Sequence, residues 1–215
     1  MADKRGDKES GIPDGMDHLL TGKVRRLRSD DLLFVEAEDW WMNACVNWYH
    51  DPTEVYVSGY KEAADSLVNS VADRIGTADT LFFPIVFLYR HYIELRLKSL
   101  LYDGHHLLDR EYEQKSEHQF SKLWPKVRSI LVELWPDDSA DGLTGIDGLI
   151  AQFEQIDPRS TTFRYPKGFD GENSLDIETR RVNLRNLKEV VGAMAIILEG
   201  SAIAISEYQS YKNDM

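Results

Sequence analysis

The chain has 215 residues, 42% of them hydrophobic, which suits one large domain with extended ends and excludes wholesale disorder. Its 25 basic and 37 acidic residues give a net charge of −12, so binding of RNA or a nucleotide requires a local basic pocket. One cysteine, Cys45, excludes a disulfide framework. The uncharged apolar stretches are shorter than the ~20 residues of a membrane span, and no signal-peptide core is present. We therefore expect a cytoplasmic protein without membrane attachment.

The N-terminal part of the sequence predicts a polar arm followed by a helix. Residues 1–28 are polar and mixed in charge, which is typical of a flexible arm. A helix is expected to begin at Ser29 or Asp30, which can cap it, and to end at Asp51-Pro52. Its apolar stripe has three- and four-residue spacing and comprises Leu33, Ala37, Trp40, Trp41, Ala44 and Trp48. We expect these tryptophans in the core or at a dimer interface.

The rest of the chain also has the periodicity of helices. Apolar residues recur at helical spacing near residues 60–75, 77–102, 116–135, 141–156 and 175–208. Pro125 is expected to break or kink the fourth helix of the chain. The best short strand candidate, residues 55–57, has no obvious partner. The sequence thus predicts an all-α antiparallel helical bundle, a single domain over residues 29–210, with a long C-terminal helix.

Two features of this bundle point to a function. The connection over residues 156–175 is long and rich in Pro, Gly and charge, and such connections are often functional. The apolar third helix carries Arg90, Glu94 and Lys98 at four-residue intervals, with His91 beside them. These charges predict either an ion ladder that stabilises the helix or a polar pocket in the core.

Three segments of the sequence resemble the HEPN-like proteins (higher eukaryote and prokaryote nucleotide-binding domains). The first is Phe83-Pro84 followed by the string FLYRHYIELRLK at residues 87–98. The second is HQFSKLW at residues 118–124, and the third is DPRSTTFRYP at residues 157–166. The three occur in the order seen in a bacterial subfamily, and the similarity covers roughly residues 58–206.

This resemblance implies a HEPN-like helical bundle that forms a homodimer. Many HEPN-like proteins are metal-independent ribonucleases of toxin–antitoxin or antiphage defence systems, and others bind nucleotides, RNA or a cognate protein such as an antitoxin without catalysis. The nucleases carry Arg, four to six residues, then His. The nearest pairs in this chain are Arg110 with His118 and Arg96 with His105, separated by seven and eight residues. Both alternatives, ribonuclease and non-catalytic binding module, therefore remain open.

If the chain cleaves RNA, one pocket is expected to hold a base and a set of cations. The expected catalytic residues are Arg90, His91, Glu94 and His118. Substrate binding is expected from Lys98, Arg164 and Tyr165, since arginine clamps phosphate and tyrosine stacks on unpaired bases.

Structural alternatives also exist for the connector and its neighbours. His118 can cap a helix or bond to Glu94, Arg164 can bridge the connector to Glu94, and Tyr165 can simply pack. No metal or other cofactor is expected. The His105-His106 pair, with Asp109 and Glu113, has a spacing compatible with metal binding but falls in a charged segment.

Overall fold

The computed structural model describes residues 27–46, 48–113, 117–136, 140–168, 171–175 and 181–214. The chain divides into two compact units, residues 1–49 and residues 50–215. Apart from its last two residues, the predicted N-terminal arm lies outside the described residues.

The second unit is an all-α bundle, which confirms the predicted fold class. Its helices are α1 (Thr53–Ala72), α2 (Ala78–Leu107), α3 (Phe120–Leu134), α4 (Ala140–Ile156) and α5 (Leu184–Asn213). Within the described ranges, β structure is limited to one isolated bridge between Lys167 and Asn173. The short loop between α1 and α2 makes these two helices neighbours, as in a helical hairpin.

The centre of the bundle is α2, which packs against α1, α3 and α5. A helix that is apolar on nearly all sides has to be enclosed by others, and this one supplies thirteen buried residues. Its largest fully buried apolar side chains are Tyr89, Tyr92, Ile85, Ile93, Leu97, Leu100 and Leu101. Arg90, Glu94 and Arg96 of α2 are therefore held within the core, and each needs a partner there.

The helix predicted over residues 29–50 is wrong. Among the described residues 27–46 and 48–49, the helical structure is one short 3-10 helix, Trp40–Met42, and none of these residues is buried. The Asn43 side chain bonds instead to the backbone N–H and carbonyl of Ala37, which offers these groups a non-helical partner. An amphipathic stripe forms a stable helix only where packing covers it, and the described residues of this unit do not bury the stripe.

The exposure of the first unit also settles where the tryptophans lie. Trp40, Trp41 and Trp48 are exposed, so they do not lie in the core, and the expected alternative of a dimer interface stays a prediction. Trp124 on α3 does lie in the core, and its indole N–H donates to Asp147 at 2.6 Å.

Several helix boundaries differ from the prediction for local reasons. Residues 55–57, the short strand candidate, lie within α1. α3 continues through Pro125 because its apolar face is buried against the core. α2 extends past Gly104, where a Cβ atom would lie 2.5 Å from Ile130, so this glycine permits close helix packing. α5 begins at residue 184 because the Asn183 side chain accepts a bond from the backbone N–H of Asn186.

α5 is also long and apolar enough, by length and composition alone, to cross a membrane. Its most apolar 18-residue window has a mean hydropathy of 1.7, and 28% of that window is buried within the bundle. Core helices of soluble proteins pass the same test, so this is weak evidence for a membrane span.

Candidate functional site at the second helix

The predicted ion ladder on α2 is present, and Arg90 is its innermost member. Arg90 is 1% exposed, and its Nη1 donates to Glu94 Oε2 at 3.0 Å. Its Nη2 donates to the backbone carbonyl of His118 at 2.9 Å, and its guanidinium lies 4.5 Å from the centre of the Phe120 ring. These contacts enclose the Arg90 guanidinium completely. It is therefore a positioning group and is not available to clamp a phosphate.

The connector supplies the second carboxylate for Arg90. Asp157 Oδ2 lies 2.9 Å from Arg90 Nε, and both side chains are 2% exposed. The Nε–H finds no well-aligned acceptor, so this contact is chiefly an attraction between charges. Asp157 Oδ1 accepts the backbone N–H groups of Thr161 and Thr162 at 2.7 and 3.0 Å. Asp157 thus folds the start of the connector and anchors it to α2.

Glu94 joins the buried arginine to two groups at the surface. Its Oε1 accepts from Lys98 Nζ at 2.8 Å and from His118 Nδ1 at 2.7 Å. Burial alone would raise the pKa of Glu94, but the hydrogen bonds from Lys98 and His118 hold it below its ordinary value. Glu94 is therefore an ionised acceptor, and the predicted bond between His118 and Glu94 is confirmed.

His118 is the member of this network that reaches solvent. Its side chain is 57% exposed, whereas that of Lys98 is 13% exposed. Because an ionised carboxylate can only accept, Nδ1 carries the proton of the bond to Glu94, and Nε2 has no hydrogen bond among the described residues. Arg90 holds the backbone of His118 while Glu94 orients its ring. This is the arrangement by which a carboxylate fixes a histidine for proton transfer.

His91 is placed beside the network and makes no hydrogen bond to it. Its ring stacks on Phe87 at 5.8 Å between ring centres and meets the edge of Tyr60 at 4.4 Å. Burial lowers the pKa of His91, and the attraction of Glu94 only partly offsets this effect. A half-buried, neutral imidazole between two aromatic rings is a packing residue. The geometry does not support the predicted catalytic role of His91.

Arg164 bonds within the connector and not to Glu94. The Arg164 guanidinium donates to the carbonyl of Ser160 through Nε, at 2.5 Å, and through Nη2. The predicted bridge from Arg164 to Glu94 is therefore wrong, and Asp157 makes the corresponding link. Arg164 is exposed, and its charge is near enough to His91 to lower the pKa of that imidazole.

Tyr165 follows Arg164 on the same exposed turn, with 57% of its surface accessible. Of the predicted site residues, the structure therefore joins Arg90, Glu94, Lys98 and His118 by direct contacts. Arg164 and Tyr165 lie on the surface of the connector. Asp157 is the first residue of the DPRSTTFRYP segment that resembles the HEPN-like proteins, but the sequence analysis does not predict it as a site residue. Its position as the acidic residue at the start of the connector is the signal that could have found it.

A second buried arginine on α2 was not predicted as part of any site. Arg96 is 1% exposed and donates to both oxygens of Glu54 at 2.6 and 2.7 Å. It also donates to Glu199 on α5, at 2.5 Å from Nη2, and Glu199 accepts the hydroxyl of Tyr92 at 2.7 Å. These contacts join α1, α2 and α5, and they raise the pKa of Arg96 against the effect of burial.

The Arg96 network borders an acidic groove of about 940 Å³. Among the described residues, its lining carries one basic side chain, Lys98, and the acidic side chains Asp51, Glu54, Asp103, Glu199 and Glu207. The pKa of Asp103 is raised by burial and by the charges of Glu54 and Asp51. Such a groove repels phosphate.

The described residues contain no cluster of three or more His, Cys, Asp or Glu side chains arranged to hold a metal. The alternative metal site at His105 and His106 is not formed there, and His105 Nδ1 lies 2.7 Å from the carbonyl of Leu101. Comparison with protein-family models, with curated proteins and with solved structures returned no match.

Proposed function

We propose that this chain is a HEPN-like protein of a bacterial defence or toxin–antitoxin system. We propose further that it is a metal-independent ribonuclease and that His118 is its catalytic base. The observation that supports this proposal is the Glu94–His118 pair, in which a buried carboxylate orients an exposed imidazole. Lys98 shares the same carboxylate oxygen, which places an ammonium beside the imidazole. A positively charged group close to a proton acceptor is what phosphodiester cleavage requires.

In the proposed reaction, His118 Nε2 takes the proton of a ribose 2′-hydroxyl. The 2′ oxygen attacks the adjacent phosphorus, the bond to the 5′ oxygen breaks, and a 2′,3′-cyclic phosphate forms. The 5′ oxygen receives its proton from water. Lys98 and Arg164 stabilise the charge on the phosphate, and Tyr165 stacks on an unpaired base. Arg90 and Glu94 act by holding His118.

The test is incubation of the purified chain with labelled single-stranded RNA in the presence of EDTA. Cleavage with cyclic-phosphate ends is expected, and His118→Ala should lower the rate at least about 100-fold. His106→Ala is the matched control, because His106 is an exposed histidine at the end of α2, outside the network. Unchanged cleavage by His118→Ala would refute the assignment.

A second candidate, a non-catalytic module that binds RNA, a nucleotide or a cognate protein, is favoured by the enclosure of Arg90. An arginine held by Glu94, Asp157 and a backbone carbonyl cannot contact phosphate. In this case the chain binds RNA or a nucleotide without cleaving it, and Arg164→Ala and Tyr165→Ala weaken binding while His118→Ala does not. Fluorescence anisotropy with the same RNA separates the two candidates, and absence of both binding and cleavage would contradict RNA as the ligand.

A further inference from the structure

The outer face of α5 carries an apolar stripe that no described residue of the bundle covers. Ile196 and Ile203 are 76% and 62% exposed, one heptad apart. Gly192 and Gly200 lie four residues on either side of Ile196, so all four residues share one face of the helix. An exposed apolar stripe on a helix is the kind of surface by which helices associate.

The two glycines of this stripe have no role in packing within the bundle. A Cβ atom added at Gly192 or Gly200 would meet nothing within 4 Å. Glycine weakens the interior of a helix because it has more conformational freedom to lose than alanine. The fold of a single copy therefore does not require glycine at either position, whereas close approach of a second helix does.

The charges at the two ends of the stripe make it complementary to itself. Arg185 lies eleven residues before Ile196 and Glu207 lies eleven residues after it, on the same exposed face. Neither side chain has a hydrogen bond or an ion pair within the described part of the chain. If two copies of α5 align antiparallel about Ile196, each Arg185 faces Glu207 of the partner subunit, and each Gly192 faces a glycine.

We propose that α5 forms an antiparallel pair with α5 of a second copy of this chain, about a two-fold axis at Ile196. The face is isologous, so one helix supplies both halves of every contact. Glu189 lies opposite Ile203 in this register, and the two-fold axis makes this mismatch occur twice. The C-terminal end of this surface, at Ile203 and Glu207, borders the acidic groove that Lys98 also lines, but the proposal does not depend on RNA binding or cleavage.

The first experiment measures the mass of the full chain by sedimentation velocity at micromolar concentrations. A dimer of the 24.7 kDa chain is expected. Ile196→Glu should give a monomer with an unchanged circular dichroism spectrum, since Ile196 is exposed and not needed for the bundle. A monomeric wild-type chain, or a dimer that Ile196→Glu leaves intact, would overturn the proposal.

Charge exchange tests the register. Arg185→Glu places like charges opposite each other twice in the dimer and should raise its Kd at least roughly tenfold. The double variant Arg185→Glu with Glu207→Arg should restore the wild-type Kd. Lys126→Glu is the matched control, because it makes the same change of charge at an exposed position on α3. Failure of the double variant to restore association would refute this register.

Disulfide trapping tests whether the two-fold axis lies at Ile196. In a Cys45→Ser background, Ile196→Cys should form an intermolecular disulfide with its own copy. Gly192→Cys and Gly200→Cys should cross-link only when the two variants are mixed. Cross-linking of Gly200→Cys alone, in preference to the mixture, would contradict an axis at Ile196.

Alanine at the glycines separates the dimer from the fold. Gly200→Ala is expected to raise the thermal stability of the Ile196→Glu monomer and to weaken self-association of the otherwise wild-type chain. A membrane surface is the other occupant that this face could bind, and co-sedimentation with phosphatidylcholine vesicles tests it. Wild-type chain that pellets with the vesicles and stays monomeric without them would overturn the proposal in favour of a membrane surface.

Discussion

Arg90 and Arg96 lie on the same helix, are each 1% exposed and each pair with two carboxylates, yet their networks differ in where those carboxylates lie. The side chains of Glu94 and Asp157, the partners of Arg90, are both 2% exposed. The side chains of Glu54 and Glu199, the partners of Arg96, are 67% and 35% exposed. The carboxylates that bind Arg90 are enclosed, and water reaches this network at the exposed side chain of His118. The carboxylates that bind Arg96 are themselves exposed to water at the acidic groove.

This difference shows that a buried charge is not by itself a sign of chemistry. Both arginines are satisfied and both join distant parts of the chain. Of the two networks, only that of Arg90 holds an exposed imidazole, which belongs to His118. A candidate site is thus marked by the exposed group that a buried network holds in place, and not by the burial of the charges.

The largest effect is expected from removing each arginine in turn. Arg90→Met leaves two enclosed carboxylates and should lower the free energy of unfolding by about 3–5 kcal/mol. Arg96→Met leaves carboxylates that can reach water, so a loss of about 1–3 kcal/mol is expected. Urea unfolding at pH 7 measures both variants. Equal losses would mean that the two networks do not differ in solvation.

The carboxylates should show the same contrast on a smaller scale. Asp157→Ala is expected to cost about 3 kcal/mol, because Arg90 loses a buried partner and the connector loses its backbone bonds. Glu54→Ala should cost less, about 1 kcal/mol, since Arg96 keeps Glu199 as a partner and water can replace the exposed Glu54 carboxylate. Asp157→Asn is the control that retains the acceptor for Thr161 and Thr162, and it should fall between the two in urea unfolding.

The pH dependence of stability should depend on His91 and Glu94. Each pKa is lower in the folded chain than the ordinary values of 6.5 and 4.5, so each residue stabilises the fold above its ordinary pKa. This contribution is lost as the pH falls, from His91 below about pH 6.5 and from Glu94 below about pH 4.5. The melting temperature of His91→Gln should change less between pH 7 and 5 than that of the wild type. The loss of stability below about pH 4.5, which Glu94 causes, should be retained. A profile unchanged by His91→Gln would contradict the lowered pKa.

The smallest effect on stability is expected at His118 itself. Because its ring is largely exposed, His118→Asn should change the free energy of unfolding by no more than about 0.5 kcal/mol. The same substitution should abolish RNA cleavage if the first proposed function is correct. A large loss of stability would mean that His118 belongs to the structural part of the network.

Local patterns in the sequence predicted the helices and the ladder on α2, because both depend on residues three or four positions apart. The same reasoning failed for residues 29–50, where the sequence has a helical stripe but the described residues are not buried. It also assigned the bridge between connector and ladder to Arg164 when Asp157 makes it. Every acid and base in such a loop is a possible partner, and their spacing along the chain cannot rank them.

The sequence by itself determined an all-α chain with one central apolar helix that carries Arg90, Glu94 and Lys98 on a single face. Only the tertiary structure decided which of these charges are enclosed and which group reaches water. That choice depends on the path of the connector, which brings Asp157 to Arg90, and on the start of α3, which places His118 over Glu94. Both contacts join residues distant in sequence, so their energies depend on how the helices pack.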